Sequence, residues 1–334
     1  MTTYSLNSAS KITGKIPLNT SDLFSDFRIV KIEETTYIST ISASKKDVCF
    51  YETSESIIRP NPLKKIACNT TTKTLTGLSY DNINNLIAVG DQSQAILYQI
   101  NSSKTDSPFS YLCEANMPKA EVEGFDSEFS NGTLLAVNDL WVTSIIIDVS
   151  TPSAKVLSSA RTESSLLKKG ETTKLSVNGN EKSKQTIIMI NAKNFLKTYL
   201  LEKNNKLHYL NECNDLGRTE DFSLMTETTL FSAKGISMWA YEVGGNTTAN
   251  EDYISYADDK PINSNNHFQK VNAMAYWNNT FVSVSEGGPS NFKLWKTTDF
   301  SLSQIDEKTI SFFSLLKSGN INLKNIALLP PPAK

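Results

Sequence analysis

Histidine is nearly missing from this sequence: 334 residues hold two, His208 and His267. The shortage leaves no Ser-His-Asp hydrolase anchored to a motif, and it denies the cysteines their usual partners in a zinc site. His208 lies in KLHYL, an expected outer strand, and His267 in the Asn-rich stretch NSNNHFQK. We expect ordinary surface or half-buried roles for both. Cysteine is also scarce. Cys49, Cys68, Cys113 and Cys213 form no C-x-x-C pair, so no metal site is expected, and the four read as reduced core thiols of a cytosolic or nuclear protein.

Long apolar runs are absent. None approaches the ~18 residues of a membrane-crossing helix. The opening MTTYSLNSASKITGK has no apolar h-region, so no secretory signal is expected there. The sequons at Asn19, Asn69 and Asn131 then read as unglycosylated. An excess of either charge is missing too: 33 Lys and Arg face 35 Asp and Glu, for a net charge of −2. That balance argues against a whole-surface footprint for nucleic acid or anionic membrane. Phosphate loops are absent as well. VGDQSQ and EVGGN lack both the Lys-Ser/Thr of a P-loop and dinucleotide spacing, and EGGPSN reads as a turn. No cofactor is expected.

What the sequence does contain is a repeat. TFVSVSEGGPSNFKLW (280–295) has two apolar-alternating runs around a polar turn. The same plan recurs in YISTISASKKDVCFY (37–51), NLIAVGDQSQAILY (85–98), TLLAVNDLWVTSIII (133–147), TIIMINAKNFLKTY (186–199) and TLFSAKGISMWAY (229–241). The closing residues Tyr51, Tyr98, Ile147, Tyr199, Tyr241 and Trp295 recur at a period of roughly 50. A strand is expected before each unit: 27–33, 74–80, 121–127, 173–177, 221–226 and 270–276. Another is expected after each: SIIRPNP, FSYLCEA, AKVLSSA, KLHYLNE, DYISYAD and FSLSQID. Four short strands per repeat, alternating in polarity, describe a unit that must stack on its neighbours to bury both faces. Ordinary β-sandwiches, the competing architecture, do not call for such a repeat.

TLTGLSYDNINNLIAVGDQSQAILYQI and VNAMAYWNNTFVSVSEGGPSNFKLWK resemble blades of the WD-repeat β-propeller family. Trp295 matches the family's Trp near the end of the third strand, with Tyr51, Tyr98 and Tyr199 as substitutes. The Gly-His dipeptide and the Trp-Asp pair are absent, so the family's hydrogen-bonded His–Ser–Asp–Trp arrangement is not assumed. The resemblance implies an all-β propeller of four-stranded blades forming a single domain over 1–334. Six blades are recognisable within 27–307, and residues 1–26 and 308–330 would close the ring or contact a partner. A seventh, composite blade is the leading reading and an open six-bladed ring the alternative. ISFFSLL (310–316) reads equally as a strand or a short apolar helix.

The resemblance also implies a non-catalytic scaffold, a nuclear or cytoplasmic propeller subunit of a multi-protein eukaryotic complex. The turns between second and third strands would share one face and present Lys45, Lys46, Asp91, Asp139, Trp141, Lys193, Lys234 and Glu286 to protein partners. Trp141 stands out because Trp is enriched at interface hot spots; the competing role is packing between blades at the start of a third strand. Two other classes stay open. Nucleic acid could bind, directly through the Lys-rich 150–185 segment or indirectly through a ribonucleoprotein. An enzyme site in the central funnel would need converging carboxylates, and acids at strand ends look sparse. Arg28, Arg59, Arg161 and Arg218 are scattered, without the Phe-Arg-Arg-Gly of phosphoinositide-binding propellers. F-box and kinase signatures are missing, and PPPAK lacks the context of a Pro-rich ligand.

Overall fold

The computed structural model describes residues 2–6, 12–17, 24–32, 35–52, 64–101, 109–120, 124–138, 141–161, 174–180, 185–192, 195–213, 221–226, 229–234, 236–243, 254–255, 271–277, 280–285, 292–298 and 301–308. Strands β1 (Thr2–Leu6) and β2 (Ile12–Pro17) pair with each other. Six four-stranded antiparallel sheets follow, each laid down in chain order. The first holds β3 (Phe24–Ile32), β4 (Thr35–Ser42), β5 (Asp47–Glu52) and β6 (Lys64–Thr70). The second holds β7 (Thr76–Asp81), β8 (Leu86–Gly90), β9 (Gln94–Ile100) and β10 (Phe109–Asn116). The third holds β11 (Asp126–Ser130), β12 (Thr133–Val137), β13 (Trp141–Asp148) and β14 (Ser153–Arg161). The fourth holds β15 (Lys174–Asn180), β16 (Gln185–Ala192), β17 (Phe195–Leu201) and β18 (Leu207–Cys213). The fifth holds β19 (Asp221–Thr226), β20 (Thr229–Lys234), β21 (Ser237–Val243) and β22 (Ile254–Ser255). The sixth holds β23 (Val271–Trp277), β24 (Thr280–Ser285), β25 (Phe292–Thr298) and β26 (Ser301–Lys308).

Residues 17–214, with the first four sheets, form one compact unit; residues 2–16 and 215–334 form another. Inside the first unit the sheets stack face to face. Their first strands pack in series, β3 on β7, β7 on β11 and β11 on β15. Their fourth strands do the same from β6 through β10 and β14 to β18. The central strands β8 and β12 are buried along their whole length, as strands covered on both faces must be. One apolar cluster joins the first and second sheets through Val30, Val48, Phe50, Leu78, Ile87 and Ile96. Another joins the second and third through Leu86, Leu97, Phe125, Leu134 and Ile145. In the second unit, β19 packs on β23.

The sequence's wealth of asparagine has a local use. Asn85, Asn131 and Asn205 sit in hairpin turns at positive φ, where Asn is better tolerated than most side chains. Glycine is needed at two close approaches. Gly77 has φ +63, and a Cβ there would lie 2.4 Å from the Phe125 carbonyl oxygen. A Cβ on Gly90 would meet the Phe125 ring at 2.6 Å.

The repeat is sharper in register than in sequence. Tyr51, Tyr98, Tyr199, Tyr241 and Trp295 each face an aliphatic or aromatic residue on the second strand: Ile38, Ile87, Ile188, Leu230 and Phe281. In the third sheet this place belongs to Ile145, facing Leu134, and not to Ile147. In five sheets the ladder to the outer strand shifts just before this residue, leaving one outer-strand residue without a counterpart. The extra residues are Ile66, Leu112, Leu157, Leu210 and Ile305, aliphatic every time. Such a bulge bends and twists the outer strand.

Several boundaries differ from expectation. The strand paired with β5 is KKIACNT; SIIRPNP lies outside the described residues. The inner strand of the third sheet begins at Asp126; residues 121–123 of the expected strand lie outside the described residues, and Phe125 packs against Gly90. Only Ile254–Ser255 of DYISYAD is described as strand. ISFFSLL, PPPAK and residues 162–173 and 181–184 of the Lys-rich segment lie outside the described residues. One bond of the arrangement that was not assumed is present: buried Trp295 donates its Nε1–H to Ser283 Oγ at 2.8 Å. The expected reduced state of all four cysteines does not hold. Cys49 and Cys68 are disulfide-bonded across β5 and β6, because their register sets them directly opposite. Cys113 is a buried free thiol.

Candidate functional site

In the first two sheets the turn between second and third strands is tied to the connection that leaves the sheet. In the β4–β5 turn, Lys45 takes φ 58, and Lys45 N donates to Ser42 O. The Lys45 and Lys46 carbonyls accept from Leu75 N and Thr71 N, both at 2.8 Å. Lys46 Nζ donates to the Thr72 carbonyl. Asp47 accepts from Thr70 Oγ1 at 2.7 Å and from Ser42 Oγ at 3.0 Å. The Thr70 bond leads in holding its carboxyl below the usual range. In the β8–β9 turn, Asp91 Oδ1 accepts from Ser93 N, Gln94 N and Ser93 Oγ. The carbonyls of Gln92 and Ser93 accept from Ala120 N and Met117 N.

Asn138, overlooked in the sequence, links two of these turns. It is 2% exposed. Its Nδ2 donates to Gln92 O at 3.0 Å and Pro118 O at 2.9 Å, both in the preceding sheet's turn and connection. Its Oδ1 accepts from Trp141 N at 2.8 Å. An Asn that follows an apolar run and precedes the next strand was the available signal, since Asx side chains fold back on nearby backbone. Trp141 therefore opens β13 from a fixed backbone. It is half-buried, opposite exposed Arg161 on β14. The Arg161 carbonyl accepts from the Tyr199 hydroxyl of the fourth sheet at 3.3 Å. The apolar cluster between these sheets consists of Leu135, Val137, Val142, Tyr199 and Leu201, with Ala160, Leu175, Val177 and Leu207 against it. Trp141 is not among them.

Of the eight residues expected on the face, Lys45, Lys46, Asp91 and Trp141 stand in these connected turns. Lys46 and Asp91 are spent on turn structure. Lys234 ends β20 at the equivalent turn of the second unit, opposite Ser237. Asp139, Lys193 and Glu286 lie outside the described residues.

Carboxylates also meet along the inner strands. Asp126 and Glu128, two apart on β11, share one face. Asp126 Oδ2 accepts from Leu175 N at 2.9 Å and Glu128 Oε2 from Val177 N at 3.0 Å, both on β15. These are edge N–H groups that point away from β16, so each acid replaces a missing ladder partner. On the other side, Ser79 Oγ of β7 lies 2.7 Å from Ser127 Oγ. Burial pushes the Glu128 carboxyl up to about 7, and Asp126 adds to the rise; Arg28 and the Val177 N–H oppose it. Arg28 lies 3.8 Å from Asp26 on its own strand. The acids of these inner strands converge more than their sequence positions foretold, and they serve as staples between sheets. Among the described residues no group of His, Cys, Asp and Glu is placed to hold a metal ion. No helix among them is long and apolar enough to cross a membrane.

No model of a known protein family matches the chain, and no curated protein sequence does. Solved structures do match. Sqt1 of Chaetomium thermophilum, solved bound to the N-terminus of the ribosomal protein L10, is 12% identical with a TM-score of 0.57, over 92% of this chain and 80% of that one. Hsv2 of Kluyveromyces lactis is 12% identical with a TM-score of 0.56, over 90% of each chain. The β-propeller domain of Cps50 (Swd1) from Myceliophteria thermophila is 11% identical with a TM-score of 0.54, over 86% and 87%. At such identities the likeness establishes the fold: the chain is an all-β protein of the β-propeller type.

Proposed function

We propose that this chain is a non-catalytic protein-interaction scaffold, a propeller subunit of a multi-protein eukaryotic complex in the nucleus or cytoplasm. The observation that carries the reading is the face built by the β4–β5, β8–β9 and β12–β13 turns. Its backbone is cross-linked by hydrogen bonds between turns and connections, and it holds a half-buried Trp141 beside exposed Arg161. A preformed surface with a Trp and an Arg has little ordering cost on binding, and these two residue types are enriched at hot spots. Lys45, Lys46, Asp91 and Lys234 belong to the same kind of turn, as do Asp139, Lys193 and Glu286 by sequence. Sqt1, of similar fold, is solved bound to the N-terminus of the ribosomal protein L10, which supports the reading. Residues 1–26 and 308–330 complete the ring or dock on a partner in this proposal.

The test is affinity purification of the tagged chain from its native cell, washed at high salt, in parallel with Trp141→Ala and Ile83→Ala. Ile83 is an exposed apolar residue of the β7–β8 turn. Stoichiometric partners retained by the wild type and by Ile83→Ala, and lost from Trp141→Ala, are expected. Retention unchanged by Trp141→Ala moves the contact to another surface. A chain that retains no protein overturns the scaffold.

A further inference from the structure

Nothing in the proposed scaffold role uses the Cys49–Cys68 bond. Cys49 lies in the middle of β5 and is 4% exposed, within a small cluster of Ile38 and Tyr51 backed by Phe24 and Phe27. Cys68 is exposed on β6, the outermost strand of its sheet, which has a ladder on one side only. The two residues are direct cross-strand partners with Cα atoms 4.1 Å apart, the close spacing of a pair not joined by ladder hydrogen bonds. The two side chains leave the same face of the sheet, Cys49 covered by its cluster and Cys68 at the open margin beside it. We propose that this pair is a thiol–disulfide exchange site, opened by a thiol reductant that reacts at Cys68.

The reductant's thiolate attacks Sγ of Cys68, forming a mixed disulfide there. The Cys49–Cys68 bond breaks, and its electron pair leaves on Sγ of Cys49. Apolar surroundings disfavour a thiolate, so Cys49 takes up a proton from solvent. With a dithiol reductant, the second thiol attacks the reductant's own sulfur in the mixed disulfide and releases Cys68 as a thiolate. Two electrons pass from the dithiol, which becomes a disulfide, to the protein, which gains two thiols. With a monothiol such as glutathione, the reaction stops at the adduct on Cys68 until a second molecule arrives. The direction is set by access: the buried sulfur leaves and the exposed one is modified.

Opening the bond changes how the outer strand is held. At its ends, β6 is tied to β5 by Thr70 Oγ1 donating to Asp47 at 2.7 Å and by Lys64 beside Glu52 at 3.3 Å. Both contacts are exposed. Between them, the reduced strand keeps its ladder and loses its only covalent tie. The exchange site thus couples the redox poise of the surroundings to the local stability of one propeller edge.

The test uses the full chain, oxidised with glutathione disulfide and then challenged with reduced glutathione. The reaction is quenched in acid, alkylated and mapped by peptide mass spectrometry. We expect glutathione on Cys68 and a free thiol at Cys49. Cys49→Ser should accumulate a stable glutathione adduct in glutathione disulfide, and Cys68→Ser should take up none at Cys49. On reduction of the wild type, amides of 64–70 should exchange roughly tenfold faster or more, with those of 109–116 unchanged. An adduct on Cys49, both thiols alkylated after oxidation, or unchanged exchange in 64–70 would each overturn the proposal. The wild-type readouts stand even where a variant fails to fold.

Discussion

The two faces of the third sheet are joined to their neighbours by different physics. Toward the second sheet the middle of the junction is apolar and close-fitting: Leu86, Leu97, Phe125, Leu134 and Ile145 fill it, Gly77 and Gly90 let Phe125 approach, and only neutral groups, such as the Asn138 amide at the turn end, are described crossing it. Toward the fourth sheet, carboxylates and hydroxyls reach across to backbone beside the apolar residues described there. Asp126 and Glu128 accept from Leu175 and Val177. Ser144 Oγ donates to Asn205 O at 2.8 Å, and Ser158 Oγ accepts from Leu207 N at 3.2 Å. The first junction is governed by shape and the second by charge and pH. Substitutions at one should therefore respond to volume, and at the other to protonation.

The largest expected effect is at the apolar junction. Gly77→Ala puts a Cβ on a positive-φ backbone and 2.4 Å from the Phe125 carbonyl. Backbone must move, at a cost of about 2–4 kcal/mol. Denaturant unfolding would measure this, and a loss under about 1 kcal/mol would mean that the approach of Phe125 is slack. Next is Asn138→Ala, which strips partners from Gln92 O, Pro118 O and Trp141 N at once. About 2–3 kcal/mol is expected. A stability close to wild type would mean that water replaces the amide and that the face is not held rigid by Asn138.

The polar junction should show itself in pH. An acid whose folded-state value is raised binds its proton more tightly when folded. Its contribution is complete below the unfolded value and is lost as pH rises through the folded one. For Glu128 the window runs from the ordinary glutamate range up to about 7. Glu128→Gln keeps an acceptor for Val177 N and removes the titration. The variant and wild type should melt together at about pH 4, and the variant should be more stable by about 1–2 kcal/mol at about pH 7.5. Identical pH profiles would place Glu128 in water and assign the pH response elsewhere.

Much of this was legible in the sequence. The second and third strands of every repeat read cleanly because buried alternation and a short polar turn are local signals, as in LIAVGDQSQAIL. The outer strands were harder. Their bulge shifts alternation by one residue, so the constant feature is an aliphatic residue, Ile66, Leu112, Leu157, Leu210 or Ile305, at a place where period-two reading fails. First strands suffered otherwise: EVEGFDS looked extended, yet Phe125 belongs to a plug whose partner glycines lie 35 and 48 residues earlier. The site divides the same way. Trp141 was visible by type, but Asn138 matters through carbonyls in another sheet. Cys49 and Cys68 face each other only once the register of β5 and β6 is known.

The smallest effect tests whether the two junctions differ in kind. Ser79 and Ser127 face each other at 2.7 Å across the apolar junction, and both are buried. Either hydroxyl can donate, and no charge is involved. Removing one, by Ser79→Ala, leaves the other buried and short of a partner, and about 1–2 kcal/mol is expected. Removing both in Ser79→Ala/Ser127→Ala takes away donor and acceptor together, so the double variant should be no worse than either single one. The coupling in such a cycle should be about 1 kcal/mol and independent of pH. A coupling that follows the Glu128 titration would mean that charge on the β11 strand is felt on both its sides, and the two junctions would then be one electrostatic system.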